Sequence, residues 1–497
     1  MNPFKKLAGE TAIYGLSTII GKTLNFLLLP LYTKLFPPAE YAIITNLYAH
    51  VAFLLIFLTF GMETAFFRYS KIYDNDKRIY NTTTTSILIV CSIFLLLLLI
   101  FLKPLSVAIG YAGYERFIVW LGIIVVIDCI NATPFTYLRR ENKPIRFATL
   151  KLINIGINIG LNLFFFLVLK PIHESNPGSF LGSIYDPNIG VGYVFISNLI
   201  ANIVNLLLMY PEYKVLNLQI DIAIFKKMFK YAFPILIVGI AGQINQNIDK
   251  ILLKYLIPSE KDAMHQLGIY GANYKLAVLM TMFVQAFNYA FEPFFFGNDD
   301  SKENRKDYAS IMKYFIILGW LIFLGITLYI DIFKHLEDSA YHEGLKVVPW
   351  ILFANLLLGV YYNQSIWYKV TNLTKYGAYQ SLIGASITLV INILLIPYIG
   401  YMACAIACVC CYLVMVLLSY KFSLKYYRID YDLKAIGKYS LLALAVYFIS
   451  LLIPKIILYK NVYIKLLVNT VLILIYLLII FKNEIQPLLK QRLKNKK

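Results

Sequence analysis

The stretch QINQNIDKILLKYLIPSEKDAMHQLGIYGANYKLAVLMTMFVQAFNYAFEPFFF, Gln243 to Phe296, decides how this chain must be read. It consists of two apolar segments joined by a short polar connection, yet the apolar parts carry Asp249, Lys250, Lys275 and Glu292. A charged side chain at the centre of a bilayer costs about 2.5–3.5 kcal/mol even on a mild insertion scale. Four of them within one hairpin ask for a polar interior, because lipid offers such groups no partners.

Working outward, the 497 residues are 60% hydrophobic and only 15% charged, with a mean hydropathy of +0.68. Apolar runs of about 18 residues or more recur along the whole chain, each long enough to cross the hydrocarbon layer as a helix. The expectation is an all-α polytopic membrane protein of about 14 transmembrane helices, from a first span near 11–35 to a last near 462–481. A net charge of +19 would suit nucleic acid, but the placement of the cations excludes it. Lys5 and Lys6, Arg68, Lys71, Lys77 and Arg78, Arg139, Arg140, Lys143 and Arg146, Lys226, Lys227 and Lys230, and the tail Lys490 to Lys497 fall in alternate connections. Such a bias sets orientation and places both termini in the cytoplasm. The first apolar segment, broken by Lys22 and Asn25, reads as an uncleaved span. All six cysteines fall inside expected spans, so no disulfide framework is expected, and Cys404 with Cys408 reads as small-residue helix packing before metal binding.

Polar residues inside the spans form stripes. Thr18, Lys22 and Asn25 share a helix face below Pro30, and Lys151, Asn154, Asn158 and Asn162 do so in the fifth span. In the eighth, Tyr274, Thr281, Gln285, Asn288 and Glu292 make a stripe with Lys275 at its edge. Such stripes line water or substrate, or bridge neighbouring helices. Asp128, alone in the fourth span, is a proton site or a counter-ion to a lysine, and His50 reads as a donor that bridges helices. Asp249, beside Lys250, is the first candidate for an exchangeable proton or Na⁺.

An internal repeat organises these features. LYTKLFPPAEYAIITNLYAHVAFLLIFLTFGMETAFFR, Leu31 to Arg68, can be laid on Leu252 to Phe295, so that Tyr41 and Glu63 correspond to Tyr270 and Glu292, and Asn46 to Lys275. Glu63 and Glu292 stand near the inner ends of their helices, where pairing with Arg68 or other inside cations would make a gate or a static salt bridge at a helix end. Two six-helix lobes, 1–210 and 211–422, with two additional helices and a basic tail in 423–497, is the economical organisation. Repeated halves of this kind are a transporter signature.

The opening AIYGLSTIIGKTLNFLLLPLYTKLF, the segments DKILLKYL, GIYGANYKLA and AFEPFFF, and the turn LLIPYIGYMACAIA resemble the polysaccharide-type flippases of the multidrug/oligosaccharidyl-lipid/polysaccharide exporter superfamily. The resemblance covers nearly the whole chain. It implies two lobes in a V and alternating access. The substrate implied is an undecaprenyl-diphosphate-linked oligosaccharide moved across a bacterial inner membrane for O-antigen, capsule or other surface polysaccharide. It also implies a central cavity with cationic residues, which by position are Lys22, Lys250 and Lys275, with Asn25, Tyr274 and Gln285 beside them. This chain departs from the pattern in having His50 and Glu63 on the second helix and Lys where Arg is common; Lys is a point charge without the bidentate fork. The partners implied are the lipid-linked oligosaccharide, membrane lipids, and glycosyltransferases and a polymerase of the same pathway.

No Walker A motif appears, so no ATP use and no cofactor is expected, and coupling to H⁺, Na⁺ or the membrane potential takes its place. A cation-coupled multidrug efflux antiporter of the same superfamily is the alternative. Its cavity would favour carboxylates and aromatics over lysines. A membrane enzyme would need a catalytic outside loop, and the longest such connection, near 171–188, is short and lacks arginine.

Overall fold

The apolar runs become helices throughout the computed structural model, which describes the backbone of residues 3–73, 76–297, 302–457 and 462–487, and the side chains of 13–73, 76–289, 291, 305–452 and 462–487. Among the described residues there is no strand. Helix α1 (Pro3–Phe26) breaks before Pro30 and resumes as α2 (Leu29–Leu35), as proline requires by removing a backbone donor. Pro37 starts α3 (Pro38–Thr59), and left-handed Phe60 and Gly61 separate it from α4 (Met62–Ile72). The Asp76 carboxylate accepts from Arg78 N at 2.8 Å and caps α5 (Lys77–Ile100).

There follow α6 (Leu102–Ala108), α7 (Glu115–Arg140) and α8 (Pro144–Leu163), the last running through a π-helical turn into α9 (Lys170–Ser175). After α10 (Gly192–Leu208) and the single turn α11 (Tyr210–Tyr213), the Asp221 side chain caps α12 (Ile222–Leu256), which is 35 residues long. Helices α13 (Glu260–Leu276) and α14 (Val278–Gly297) meet at a 42° bend. The remainder is α15 (Lys302–Leu328), α16 (Ile330–Phe333), α17 (Val348–Gln364), α18 (Ile366–Val370), α19 (Lys375–Ile399), α20 (Tyr401–Tyr426), α21 (Leu433–Ile457) and α22 (Val462–Ile480).

Among the described residues, 11 helices are long and apolar enough to cross a membrane, or 13 when two bent pairs each count as one span. Helix α12 is long enough, but Gln243, Asn245, Gln246, Asn247, Asp249 and Lys250 crowd its second half. Every segment expected to span is helical, and the chain is a multi-pass membrane protein.

Two compact units emerge. The first is Met1–Gly271 with Ala378–Cys411, the second Ala272–Gly377 with Tyr412–Lys497. Their limits fall within α13, α19 and α20. In the first unit Phe66, Ile79, Tyr80, Cys91, Val125 and Cys129 form a core with Ile224, Met228 and Ala232 of α12. Gly61, at φ +75°, lies so close that an added Cβ would stand 2.7 Å from the Ala232 carbonyl oxygen. Helix α13 packs on α3 in the same way, since a Cβ on Gly271 would lie 2.4 Å from Thr45 Oγ1.

In the second unit Trp367 is fully buried among Tyr308, Ile366, Tyr427 and Ile429, and its indole N–H donates to Ser419 Oγ at 3.1 Å. The two additional helices dock on α15. Trp320 Nε1 donates to Ser440 Oγ at 2.9 Å, Asn469 Nδ2 to the Leu328 carbonyl at 2.6 Å, and Lys313 pairs with Glu484 at 2.6 Å.

Candidate functional site

In the first unit, the polar half of α12 is a densely bonded knot. The Asp249 carboxylate is 2% exposed; Oδ1 accepts from Lys250 N at 2.8 Å and Oδ2 from the Tyr270 hydroxyl at 2.5 Å. The Lys250 ammonium donates to the Gln246 carbonyl at 2.7 Å and Asn247 Oδ1 at 3.3 Å, and stands 3.5 Å from Asp249 Oδ1. The family resemblance implied Lys250 as a cavity cation; in the structure its neighbours on the same helix hold it against Asp249, as a buried ammonium needs several acceptors.

Around this pair the first unit collects further buried polar groups. Asn245 accepts from Thr388 Oγ1 at 3.3 Å, and Asn392 Nδ2 donates to the Thr388 carbonyl at 2.8 Å. Gln380 is fully buried, and neither end of its amide has a partner among the described residues. The thiols of Cys404 and Cys408, which share a face of α20, feel the charge of Asp249.

Helix α3 is tied to this knot. Asn46 Nδ2 donates to the Lys250 carbonyl at 2.7 Å, and Asn46 Oδ1 accepts from the Tyr111 hydroxyl at 2.9 Å. Lys254, not singled out by the sequence, donates to the carbonyls of Ile109 and Gly110 at 2.8 Å each and lies over the Tyr111 ring. His50 donates its Nδ1–H to the Asn46 carbonyl of its own helix at 2.9 Å, so it does not bridge helices as expected.

A second charged group in the first unit gathers Glu63, Asp128 and Lys151. Lys151 interacts electrostatically with both carboxylates and lies 4.1 Å from the centre of the Phe135 ring. Asp128 Oδ1 accepts from Asn202 Nδ2 at 3.1 Å, and Asn202 Oδ1 accepts from Asn154 at 2.8 Å. Asp128 is therefore tied into a helix-bridging amide chain, with the charge of Lys151 acting on it. Asn162 also bridges, accepting from the Tyr32 hydroxyl at 2.8 Å.

Of the cations expected near Glu63, Arg68 or others on the inside, it is Arg139 and not Arg68 that acts on it. It faces Lys151 and Arg139, while Arg68 lies over the Tyr231 ring at 4.3 Å. The physical reason is spacing: residues five apart on a helix point to different faces. The break at Phe60 and Gly61 also puts Glu63 in the first turn of α4, where the helix dipole favours a carboxylate. Lys22, half-buried on α1, makes no hydrogen bond or ion pair among the described residues, and Asn25 is exposed at the end of the same helix.

In the second unit, Tyr274 and Lys275 are half-buried at the end of α13, just before the bend at Ala277. The bend interrupts the stripe read from the sequence, so Thr281 and Gln285 continue on α14 along a different axis. Asn355 Nδ2 reaches the Ala277 carbonyl at 3.5 Å, and Asn273 Nδ2 donates to the Tyr341 carbonyl at 2.9 Å. Gln285 Oε1 is buried without a partner among the described residues. The side chain of Glu292 lies outside the described residues. Glu337, in the polar connection ahead of α17, faces Lys275 and is 4% exposed. The sequence gives it no mark among Lys334, His335 and Asp338, because only the folded connection turns it inward.

The fold is similar to that of several solved structures. A lipid II flippase, MurJ, in an inward closed conformation aligns over 95% of this chain and 99% of its own, at 15% identity and a TM-score of 0.68. An inward-facing multidrug resistance MATE family transporter of the MOP superfamily aligns over 84% and 99%, at 12% identity and a TM-score of 0.61. A MOP superfamily transporter from Pyrococcus furiosus, described as having a binding pocket of reverse polarity, aligns over 86% and 99% at a TM-score of 0.55 and 12% identity. The chain thus has the fold of these transporters. Comparison with curated protein sequences yields no match. The polysaccharide biosynthesis protein family profile matches residues 7–140 and 178–298, just over half of the chain. On that match, together with a helical fold that carries its cations inside the spans, the chain belongs to the polysaccharide biosynthesis protein family.

Proposed function

We propose that this protein is a flippase that carries a lipid-linked oligosaccharide across the bacterial inner membrane during surface polysaccharide biosynthesis, by alternating access of lobes 1–210 and 211–422. Its termini are cytoplasmic, and the helices of 423–497 are accessory. The observation that carries the reading is a pair of half-buried lysines within membrane-spanning helices, Lys22 and Lys275, in a member of a polysaccharide biosynthesis family. A diphosphate cannot cross hydrocarbon without cations to meet it, while the lipid tail stays in the bilayer. Asn25, Tyr274 and Gln285 add hydrogen bonds, and Lys250 contributes through its equilibrium with Asp249.

The carrier is not an enzyme in this reading and needs no ATP. Moving two negative charges outward through an inside-negative potential yields about 4–5 kcal/mol per 100 mV. Asp249, with Glu63, Asp128 and Glu292 as further carboxylates, is the proposed site of H⁺ or Na⁺ coupling. Glycosyltransferases and a polymerase that supply and consume the repeat unit are the proposed partners.

The test is complementation of a strain lacking its own flippase with K22A and K275A, each at verified membrane level. Loss of surface polysaccharide in both is the expected result, and normal polysaccharide in both sinks the assignment. A cation-coupled drug antiporter is the competing reading, favoured by the fold shared with MATE transporters and by 40 Tyr and 34 Phe. Drug sensitivity on deletion, with normal surface glycan, would establish it instead.

A further inference from the structure

Lys151 of α8 carries a charge that its surroundings do not absorb. Among the described residues its ammonium donates to no oxygen and forms no ion pair, and it lies 4.1 Å from the centre of the Phe135 ring. An ammonium has three donors, and inside a membrane-spanning segment it needs water or an anion to meet them.

The side of the helix on which it stands shows where that partner comes from. Ile145, Thr149, Ile153, Gly156, Gly160 and Leu163 are exposed at spacings of three and four, which makes them the lipid-facing row of α8. Lys151 is two residues from both Thr149 and Ile153, about 200° around the helix, and so stands on the opposite face. Phe147 and Asn162 are buried on that face, yet Lys151 is exposed. Its exposure therefore comes from an opening on the inward side of α8, within the first unit.

Helix α1 repeats the arrangement. Ile13, Leu16, Ile20 and Leu27 are its exposed apolar row, and Lys22, two residues from Ile20, stands opposite them with no hydrogen bond or ion pair among the described residues. Three contacts fix the register of the two helices. The rings of Tyr14 and Phe147 meet edge-on at 5.0 Å, a Cβ on Gly21 would stand against Ile155 Cδ1, and the Tyr32 hydroxyl of α2 donates to Asn162 Oδ1 at 2.8 Å. The helices thus run parallel, and Lys22 is level with the turn after Lys151, about 6 Å further along the axis at 1.5 Å per residue. Glu63 and Asp128 act on Lys151 without forming an ion pair with it, and Arg139 acts on Glu63. Three cations thus accompany two carboxylates, a balance that favours an anion.

We infer that Lys151 is a second phosphate-binding cation, and that Lys22 and Lys151 together hold a diphosphate within the first unit, one phosphate to each ammonium. The inference rests on Lys22 as a phosphate-binding cation and names what its surroundings select: two linked phosphates in preference to one.

The test is equilibrium binding to the full-length protein in detergent micelles. The probes are a short-chain prenyl diphosphate and the prenyl monophosphate of the same chain. Wild type is expected to bind the diphosphate about tenfold more tightly. K22Q and K151Q should each weaken the diphosphate by about that factor and erase the preference, and K151R should keep it. If K151Q keeps the wild-type preference while K22Q loses it, the second cation is overturned and Lys22 stands. Equal loss of both probes in K151Q overturns it too, since Lys151 would then support the fold. Recovery of the preference in K151Q/D128N does the same, since Lys151 would then serve as a counter-ion to Asp128. If K22Q and K151Q both bind as wild type does, the cation site itself fails.

Discussion

Leu31–Arg68 and Leu252–Phe295 are two copies of one sequence pattern, and they differ in where the helix breaks and where the charge sits. In the first copy α3 runs unbroken past Tyr41 and Asn46 and breaks only at Phe60 and Gly61, immediately before Glu63. In the second, α13 ends six residues after Tyr270, one residue after Lys275, and the chain bends by 42°. Asn46 is fully buried and spends its amide on two protein partners, Lys250 and Tyr111. Its counterpart Lys275 is half-buried beside a bend and faces a carboxyl group. The same register thus serves as a structural tie in one copy and as a charged group at a helix break in the other. A repeat conserves the scaffold while freeing one copy to differ.

The sharpest way to break this comparison is to move the charge. N46K would place a cation at a fully buried position and remove two hydrogen bonds, at a cost of about 3–5 kcal/mol. The expected outcome is loss of monodisperse protein in detergent; an N46K protein as stable as wild type would show the first copy to be as open as the second.

Next in size is the pH dependence of stability at Glu337. Its folded pKa, about 8, is raised above the usual 4.5, so the stabilising contribution of the protonated form is full at acid pH. That contribution is lost as pH rises through about 8. E337Q should therefore match wild type near pH 5 and exceed it near pH 9 by roughly a few kcal/mol, read as a higher thermal midpoint.

K275Q should cost about 10–100-fold in polysaccharide export, the range of a lost charge-assisted contact of about 1.5–3 kcal/mol, with membrane level unchanged. N46Q, the same register in the first copy, should act on stability without a comparable loss of export per folded protein. If both variants shift only stability, the asymmetry between copies is not functional.

The smallest effect is at the break of the first copy. G61A places a Cβ 2.7 Å from the Ala232 carbonyl oxygen at a φ of +75°, and should destabilise by about 1–3 kcal/mol in a thermal melt. A neutral result would mean that the break is soft, and that the contrast with the bend at Ala277 is overstated.

Parts of the site were legible because their signal is local. Asp249 and Lys250 stand out as charges within an apolar run, and the structure brings them together with Tyr270 of the next helix. Lys22 and Lys275 are visible for the same reason. Other roles were out of reach because they depend on which helix faces which. Asp128 meets Lys151 only through the packing of α7 and α8, Glu63 meets Lys151 and Arg139 of other helices, and Lys254 finds the carbonyls of Ile109 and Gly110 far away in sequence. Glu337 is one polar residue among several in a connection, and nothing in its neighbourhood marks it.

By itself, the sequence determined that this chain lies in a membrane, which runs cross it, and that some of its interior is charged. Those properties follow from transfer free energies that act residue by residue, and need no knowledge of neighbours. Tertiary structure decided which groups each charge meets. Lys250 is bound by its own helix, Asn46 is a tie, and Lys275 faces a carboxyl group without a hydrogen-bond partner. Electrostatic interaction falls with distance and rises with burial, and both are set only when the helices are packed.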